Sequence, residues 1–107
     1  MFRGIQRSPQ AICDIDVVSA HLAADSHATA IRFQAMVRET CESLVGMPFV
    51  GRATNFRFAG FGETRWVCVR GFPNYLVFYS VDDEWISILR VLHGARDLDA
   101  LLDDEGC

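Results

Sequence analysis

The chain of 107 residues has no lysine, and all ten of its basic side chains are arginine. Its 14 acidic residues leave a formal net charge of -4. A protein whose main task is to grip nucleic-acid phosphates carries a basic surface, so this balance disfavours direct binding to nucleic acid. Arginine suits bidentate contacts with carboxylates at a protein interface. A genome-wide preference for arginine explains the same composition equally well.

Long apolar runs and paired cysteines are also missing. No run approaches the roughly 18 apolar residues of a membrane span, and the first ten residues have no apolar signal core. The cysteines lack the CxxC spacing of zinc sites; they are Cys13, Cys41, Cys68 and Cys107. We therefore expect a cytosolic protein with reduced thiols and with no metal, other cofactor or membrane partner. The length predicts one domain over residues 1–107.

The clearest local pattern is a β-hairpin in the C-terminal third. Residues 75–81 form a continuous apolar and aromatic run, residues 82–84 are acidic turn residues, and residues 85–92 form a second β-rich run. Alternation along the second run places Arg90 in one row with Ile86 and Ile88. Because burying an unpaired guanidinium is costly, Arg90 is expected to reach a carboxylate, a carbonyl or an exposed face.

A polar cluster follows the second strand of this hairpin. His93, Arg96 and Asp97 lie at or just beyond the strand end, and Gly94 permits a turn between them. Asp97 is placed to cap a short helical segment over residues 98–102. A purely structural strand does not need these side chains, so this exit is where we look for function.

Two helices are predicted before the hairpin. After a first strand within residues 2–7, Ser8 and Pro9 give a helix-start signal, and the helix runs to about residue 24. Residues 25–27 make a tight break, and the second helix ends before Gly46 and Pro48. The apolar stripes that support the two helices are Ile12, Ile15, Val18 and Leu22, then Ala30, Phe33, Val37, Cys41 and Leu44. The short break predicts an antiparallel helical hairpin.

The order of elements predicts the fold class. Residues 49–64 form an irregular connection, and residues 65–70 resume strand character, which gives the order β-α-α-β-β-β. Segregated helices and successive strands imply an α+β fold with an antiparallel sheet and the helical hairpin on one face. The opposite face must be solvated, covered by a partner or used as a site. The apolar surface of the hairpin is wide enough to offer a groove to a partner helix.

The segments GFPNYLVFY, VDDEW and ILRVLHGARDLDALL, in this order of elements, resemble the ParE branch of the ParE/RelE superfamily of bacterial type II toxins. A weaker likeness extends back through ESLVGMPFVGRA. The resemblance implies a non-enzymatic toxin that inhibits DNA gyrase by stabilising cleaved DNA, held inactive by a cognate antitoxin that is ParD-like or of another family. For the target or partner contact we expect Arg70, Arg90, His93, Arg96 and Asp97. For the antitoxin contact we expect Val18, Leu22, Ile31 and Met36.

Two other functions stay open at this stage. RelE members are ribosome-dependent messenger RNA endonucleases; they place an arginine early in the strand that corresponds to residues 75–81, and lysines ahead of the sheet. This chain has Leu76 in that region and no lysine, which favours the ParE branch. In an RNA-cleaving enzyme His93 and Arg96 would form the acid/base and phosphate pair. The third function is that of a non-toxic interaction module, in which these polar residues merely order the strand exit.

Overall fold

The computed structural model describes residues 3–55, 58 and 60–97. The elements in chain order are β1 (Gly4–Arg7), α1 (Pro9–Asp25), α2 (His27–Ser43), β2 (Arg52–Thr54), β3 (Thr64–Val69), β4 (Phe72–Val81) and β5 (Trp85–His93). The strands form one sheet in the order β1-β5-β4-β3-β2. α1 packs on β5, and α2 packs on β3 and β4, so both helices cover the same face.

Two serines set the limits of the helical hairpin. Ser8 caps α1, because its Oγ accepts a hydrogen bond from the Ala11 amide at 3.0 Å, and Pro9 occupies the first turn. Ser26 serves both helices: its amide donates to the Leu22 carbonyl, and its Oγ accepts from the Thr29 amide at 3.2 Å. The predicted antiparallel hairpin is confirmed, with a single residue as its connection.

The sheet differs from the predicted one in two ways, although the α+β class is confirmed. β1 pairs with β5 in parallel, so the prediction of a fully antiparallel sheet was wrong. β2 lies inside the segment predicted to be irregular and pairs antiparallel with β3. Three residues are too few to show an alternating pattern, and the partner of a first strand is set by tertiary packing rather than by local sequence.

The two turns of the C-terminal meander are tight. The β3–β4 turn lies at Arg70 and Gly71, and Gly71 has a φ of 79° that favours glycine. The β4–β5 turn lies where the acidic residues predicted it. There the Asp82 carboxylate accepts hydrogen bonds from the amides of Glu84 and Trp85, which lowers the pKa of Asp82.

The core lies between the helices and the sheet. Phe33 of α2 is fully buried and makes edge-to-face contacts with the rings of Phe72 and Tyr75, each at 5.2 Å between centroids. Cys41 is buried in the same cluster, and its burial raises the pKa of the thiol to about 11. The predicted helical segment over residues 98–102 lies outside the residues that the structure describes.

The connection from α2 to β2 is fixed by the buried phenol of Tyr79. The Gly51 amide donates a hydrogen bond to Tyr79 Oη at 2.9 Å, and burial raises the pKa of Tyr79. A Cβ at position 51 would lie 2.5 Å from Tyr79 Oη and 2.9 Å from the Trp66 carbonyl oxygen. Glycine is therefore required here for close approach of the chain to the sheet.

We expect Gly51→Ala to lower the free energy of unfolding by about 1–3 kcal/mol, because the added methyl overpacks against Tyr79. Gly46→Ala is the matched control, since the nearest atom to a Cβ there is 3.9 Å away. The control should be neutral or stabilising by up to about 1 kcal/mol. Urea denaturation of both variants provides the measurement, and equal values for the two would contradict the prediction.

Candidate partner-binding site

The exit of β5 is a closed network of hydrogen bonds. The His93 amide donates to Asp97 Oδ2 at 2.8 Å, the Arg96 amide donates to His93 Nδ1 at 3.2 Å, and Arg96 Nε donates to Asp97 Oδ1 at 3.3 Å. The Gly94 amide bonds the Asn74 carbonyl at 2.8 Å, which ties the exit to β4. The sequence-predicted residues His93, Arg96 and Asp97 are therefore brought together.

The hydrogen bonds of the exit determine the tautomer of His93 and affect the pKa of Arg96. Because His93 Nδ1 accepts a hydrogen bond, the imidazole proton of this arrangement sits on Nε2. The hydrogen bond to Asp97 raises the pKa of Arg96, whose guanidinium is exposed. The His93 ring stands edge-to-face against Tyr75 at 5.2 Å between centroids. The polar atoms of the exit largely satisfy one another, which gives an ordered protein surface.

Arg90 departs from the row in which the alternation placed it. β5 contains a bulge: Phe78 pairs with Arg90 and Tyr79 with Ile88, so Leu89 is the extra residue. Ile88 faces the helices, whereas Arg90 shares its side of the sheet with Phe78. The prediction of one continuous row was wrong because a bulge shifts the alternation by one position.

Arg90 is bound within the chain by Asp14 of α1. Its Nε donates to Asp14 Oδ2 at 2.8 Å and its Nη2 to Asp14 Oδ1 at 3.1 Å, and Asp14 Oδ2 also accepts from the Val91 amide at 3.0 Å. The bond with Asp14 raises the pKa of Arg90. The expected carboxylate partner of Arg90 thus lies in its own chain. The sequence analysis did not identify Asp14 as this partner. Its position four residues before Val18, at the border of the apolar stripe, could have indicated a carboxylate close to the sheet.

Arg70 is separate from this cluster. It lies in the β3–β4 turn, where its amide donates to Thr40 Oγ1 at 3.0 Å and its exposed guanidinium lies 3.8 Å from Glu39. Its nearest charged neighbour is therefore on α2. An exposed pair at this distance contributes little to stability, which leaves the guanidinium accessible to another protein.

The four residues assigned to antitoxin contact differ in exposure. Ile31 is 58% exposed, whereas Leu22 and Met36 are half-buried and pack against the core. Val18 is 5% exposed and belongs to the core itself, so its assignment to a partner surface was wrong. Of the predicted stripe of α1, Ile15 and Val18 face the sheet, whereas Ile12 is exposed, so the prediction that Ile12 faces the core was wrong. A surface-facing residue cannot be told from a core residue by apolar character alone.

The face of the sheet opposite the helices carries a second apolar cluster. Leu76, Phe78 and Leu92 are buried there, and Phe58 and Trp66 pack over them. Phe58 belongs to the β2–β3 connection, which sequence reasoning left without a role. Leu76 occupies the region where the RNA-cleaving relatives place an arginine, and in this chain it forms part of a small core.

The cysteines of the described residues are free. Cys13 and Cys68 are exposed and Cys41 is buried. Within residues 3–55, 58 and 60–97, no three His, Cys, Asp or Glu side chains are grouped as metal ligands would be. Neither α1 nor α2 is long and apolar enough to cross a membrane.

The chain belongs to the family of ParE toxins of type II toxin–antitoxin systems of the parDE type, whose family model matches residues 5–98. A chain of a solved chromosomal ParDE toxin–antitoxin system from P. aeruginosa has a similar fold. The TM-score is 0.68 with 16% sequence identity, over 85% of this chain and 95% of that chain. No curated protein matches the sequence.

We expect Asp14→Asn to lower the free energy of unfolding by about 1–3 kcal/mol, because it weakens the bonds to Arg90 and to the Val91 amide. Asp16→Asn is the matched control: Asp16 lies on the same helix and is exposed. The control should change stability by less than about 0.5 kcal/mol. Thermal denaturation in dilute solution measures both, and a change in Asp14→Asn as small as in the control would refute the role given to Asp14.

Proposed function

We propose that this chain is a toxin that inhibits DNA gyrase in the cytoplasm, acts there as a protein inhibitor rather than as an enzyme, and is neutralised by binding a cognate antitoxin. Membership of the ParE toxin family supports the toxin assignment. The choice of gyrase over messenger RNA needs a separate argument, because the ParE and RelE branches share their order of elements.

The outer face of the sheet carries that argument. A nuclease of this fold needs cationic side chains there to hold the phosphate backbone and a free group for proton transfer. In this chain Leu76, Phe78 and Leu92 are buried on that face, and Arg90 is bonded to Asp14. Among the described residues, the centre of this face is therefore apolar, and the arginine on the neighbouring edge strand, Arg52, lies over the ring of Trp66.

The strand exit supports the same choice. The exit itself sets the orientation of His93 and Arg96: His93 Nδ1 accepts from the Arg96 amide, and Arg96 Nε donates to Asp97. The exit is pre-ordered, and a pre-ordered surface loses little conformational entropy when another protein binds it. This suits Arg96 and Asp97, together with the accessible Arg70, to contact with a protein target.

Gyrase supercoiling assays test the proposal. Purified chain added to gyrase and relaxed plasmid should reduce supercoiling and increase cleaved DNA, and prior mixing with the antitoxin should abolish both effects. Extracts of cells that express the chain should contain intact transcripts at translated codons. Full supercoiling activity together with cut transcripts would instead establish the RNA-cleaving function and refute gyrase inhibition.

The antitoxin is proposed to contact the helical hairpin at Ile31, with Leu22 and Met36 at the base of the contact. We expect Ile31→Asp to weaken the complex about tenfold or more, because a carboxylate replaces a side chain that is 58% exposed and would be desolvated on binding. Val50→Asp is the matched control, since Val50 is 56% exposed but lies in the α2–β2 connection. Isothermal titration with the antitoxin measures both, and equal affinities would remove Ile31 from the interface.

A further inference from the structure

The strand β1 forms an open edge of the sheet. It stands at one end of the strand order, so its backbone has β5 on one side and no described strand on the other. The amides of Gly4 and Ser8 donate to carbonyls on the β5 side, each at 2.9 Å. Because backbone groups alternate along a strand, the N–H and C=O groups of Ile5 and Arg7 point to the open side. Such an edge is a template for a further strand.

A tryptophan of the neighbouring strand extends over this edge. Gly4 is exposed, and a Cβ at this position would lie 2.6 Å from the ring of Trp85, so the indole covers the Cα of Gly4. Trp85 itself is 40% exposed. A strand added beside β1 would lie about 4.8 Å away, and its residue opposite Gly4 would pack against the indole. An apolar side chain suits that position.

The charges beside the edge favour one position for an acid. Arg7 is exposed, and its guanidinium makes no hydrogen bond or ion pair with another residue of the described part of the chain. The other end of β1 lies beside the β4–β5 turn, which carries the exposed Asp82, Asp83 and Glu84. There Arg3 already donates to the Asp82 carbonyl at 2.7 Å. A carboxylate of a partner is therefore favoured opposite Arg7 and disfavoured at the end near the turn.

We propose that β1 binds an extended segment of another protein as an additional strand, antiparallel to β1. The residues opposite Ile5 and Arg7 would each exchange two backbone hydrogen bonds with them, as the bonded pairs of an antiparallel ladder do. The segment carries a carboxylate opposite Arg7 and an apolar residue opposite Ile5, whose side chain packs against the core. A second apolar residue, opposite Gly4, lies against Trp85.

A second copy of the chain does not fit this edge. Two β1 strands paired about Ile5 would set Arg3 of each copy opposite Arg7 of the other, and like charges directly opposite each other are destabilising. Pairing about Arg7 would set the two guanidinium groups against each other. The first arrangement would also place Gln6 against Trp85, although the Gln6 amide is already bonded within the sheet. The inference does not depend on the proposed action on gyrase.

NMR titration of the full chain with the synthetic peptide acetyl-SETVVTS-amide tests the proposal. In the antiparallel register its Glu lies opposite Arg7, its first Val opposite Ile5 and its second Val opposite Gly4. Because the edge offers four backbone bonding groups, we expect saturable binding with a Kd on the order of 0.1–1 mM. Hydrogen exchange should slow at the amides of Ile5 and Arg7, and the indole N–H signal of Trp85 should shift. No binding at several times this peptide concentration would overturn the proposal.

N-methylated peptides separate strand addition from attraction by charge alone. A methyl group on the amide of the first Val removes the donor to the Ile5 carbonyl, and it should weaken binding about tenfold or more. The same methyl group on the second Val is the matched control. It lies on an amide that points away from β1, so it should change the affinity less than about threefold. Equal effects of the two methyl groups would contradict the antiparallel pairing that we propose.

A charge swap tests the role of Arg7. Arg7→Glu should weaken binding of the peptide about fivefold or more, and a peptide with Lys in place of its Glu should recover the affinity. Arg38→Glu is the control, since Arg38 is exposed on α2, and circular dichroism checks that both variants fold. The proposal is overturned by an unchanged affinity in Arg7→Glu, or by a chain that dimerises when concentrated and protects its own Ile5 amide.

Discussion

The carboxylate of Asp14 closes an edge of the sheet that would otherwise be open, and the arrangement of the helices depends on it. β1 covers the edge of β5 only from Trp85 to Ile88, after which the chain turns into α1. Unpaired backbone groups beyond that point would be costly once α1 covers them. Ser8 Oγ donates to the Leu89 carbonyl, and Asp14 accepts from the Val91 amide. The backbone of β1 therefore pairs with the first part of β5, and side chains at the start of α1 bond the backbone of the next part. These bonds hold α1 along β5.

This use of Asp14 has a direct consequence for the candidate site. The bulge at Leu89 turns Arg90 to the outer side of the sheet edge, where its bidentate bond with Asp14 holds it. Bulges often re-aim a side chain next to a functional site. Here the re-aimed arginine stabilises the joint between helix and strand, and the residues left for a partner are those of the ordered exit, above all Arg96 and Asp97, and of the β3–β4 turn.

The sequence predicted the elements with strong local patterns and missed those that depend on distant contacts. The helix boundaries were predicted from the start signal at Ser8 and Pro9 and from the break at residues 25–27, and the β4–β5 turn was predicted from its acidic residues. The parallel pairing of β1, the three-residue β2 and the bulge in β5 follow from contacts between distant residues. An ordered strand exit at His93 and Asp97 was one of the alternatives that the sequence left open. The burial of Val18 and the pairing of Arg90 with Asp14 could not be predicted, because both depend on how α1 packs on the sheet.

Two arginines make contacts that an ammonium group cannot reproduce; they are Arg65 and Arg90. Arg65 illustrates the type: it bonds the Gly51 carbonyl at 2.9 Å, pairs with Glu63 at 3.0 Å and lies over the ring of Phe49. A planar guanidinium can bond in two directions while its face covers an aromatic ring, and a lysine cannot. Arg65 and Arg90 thus act as internal connectors between elements of the fold.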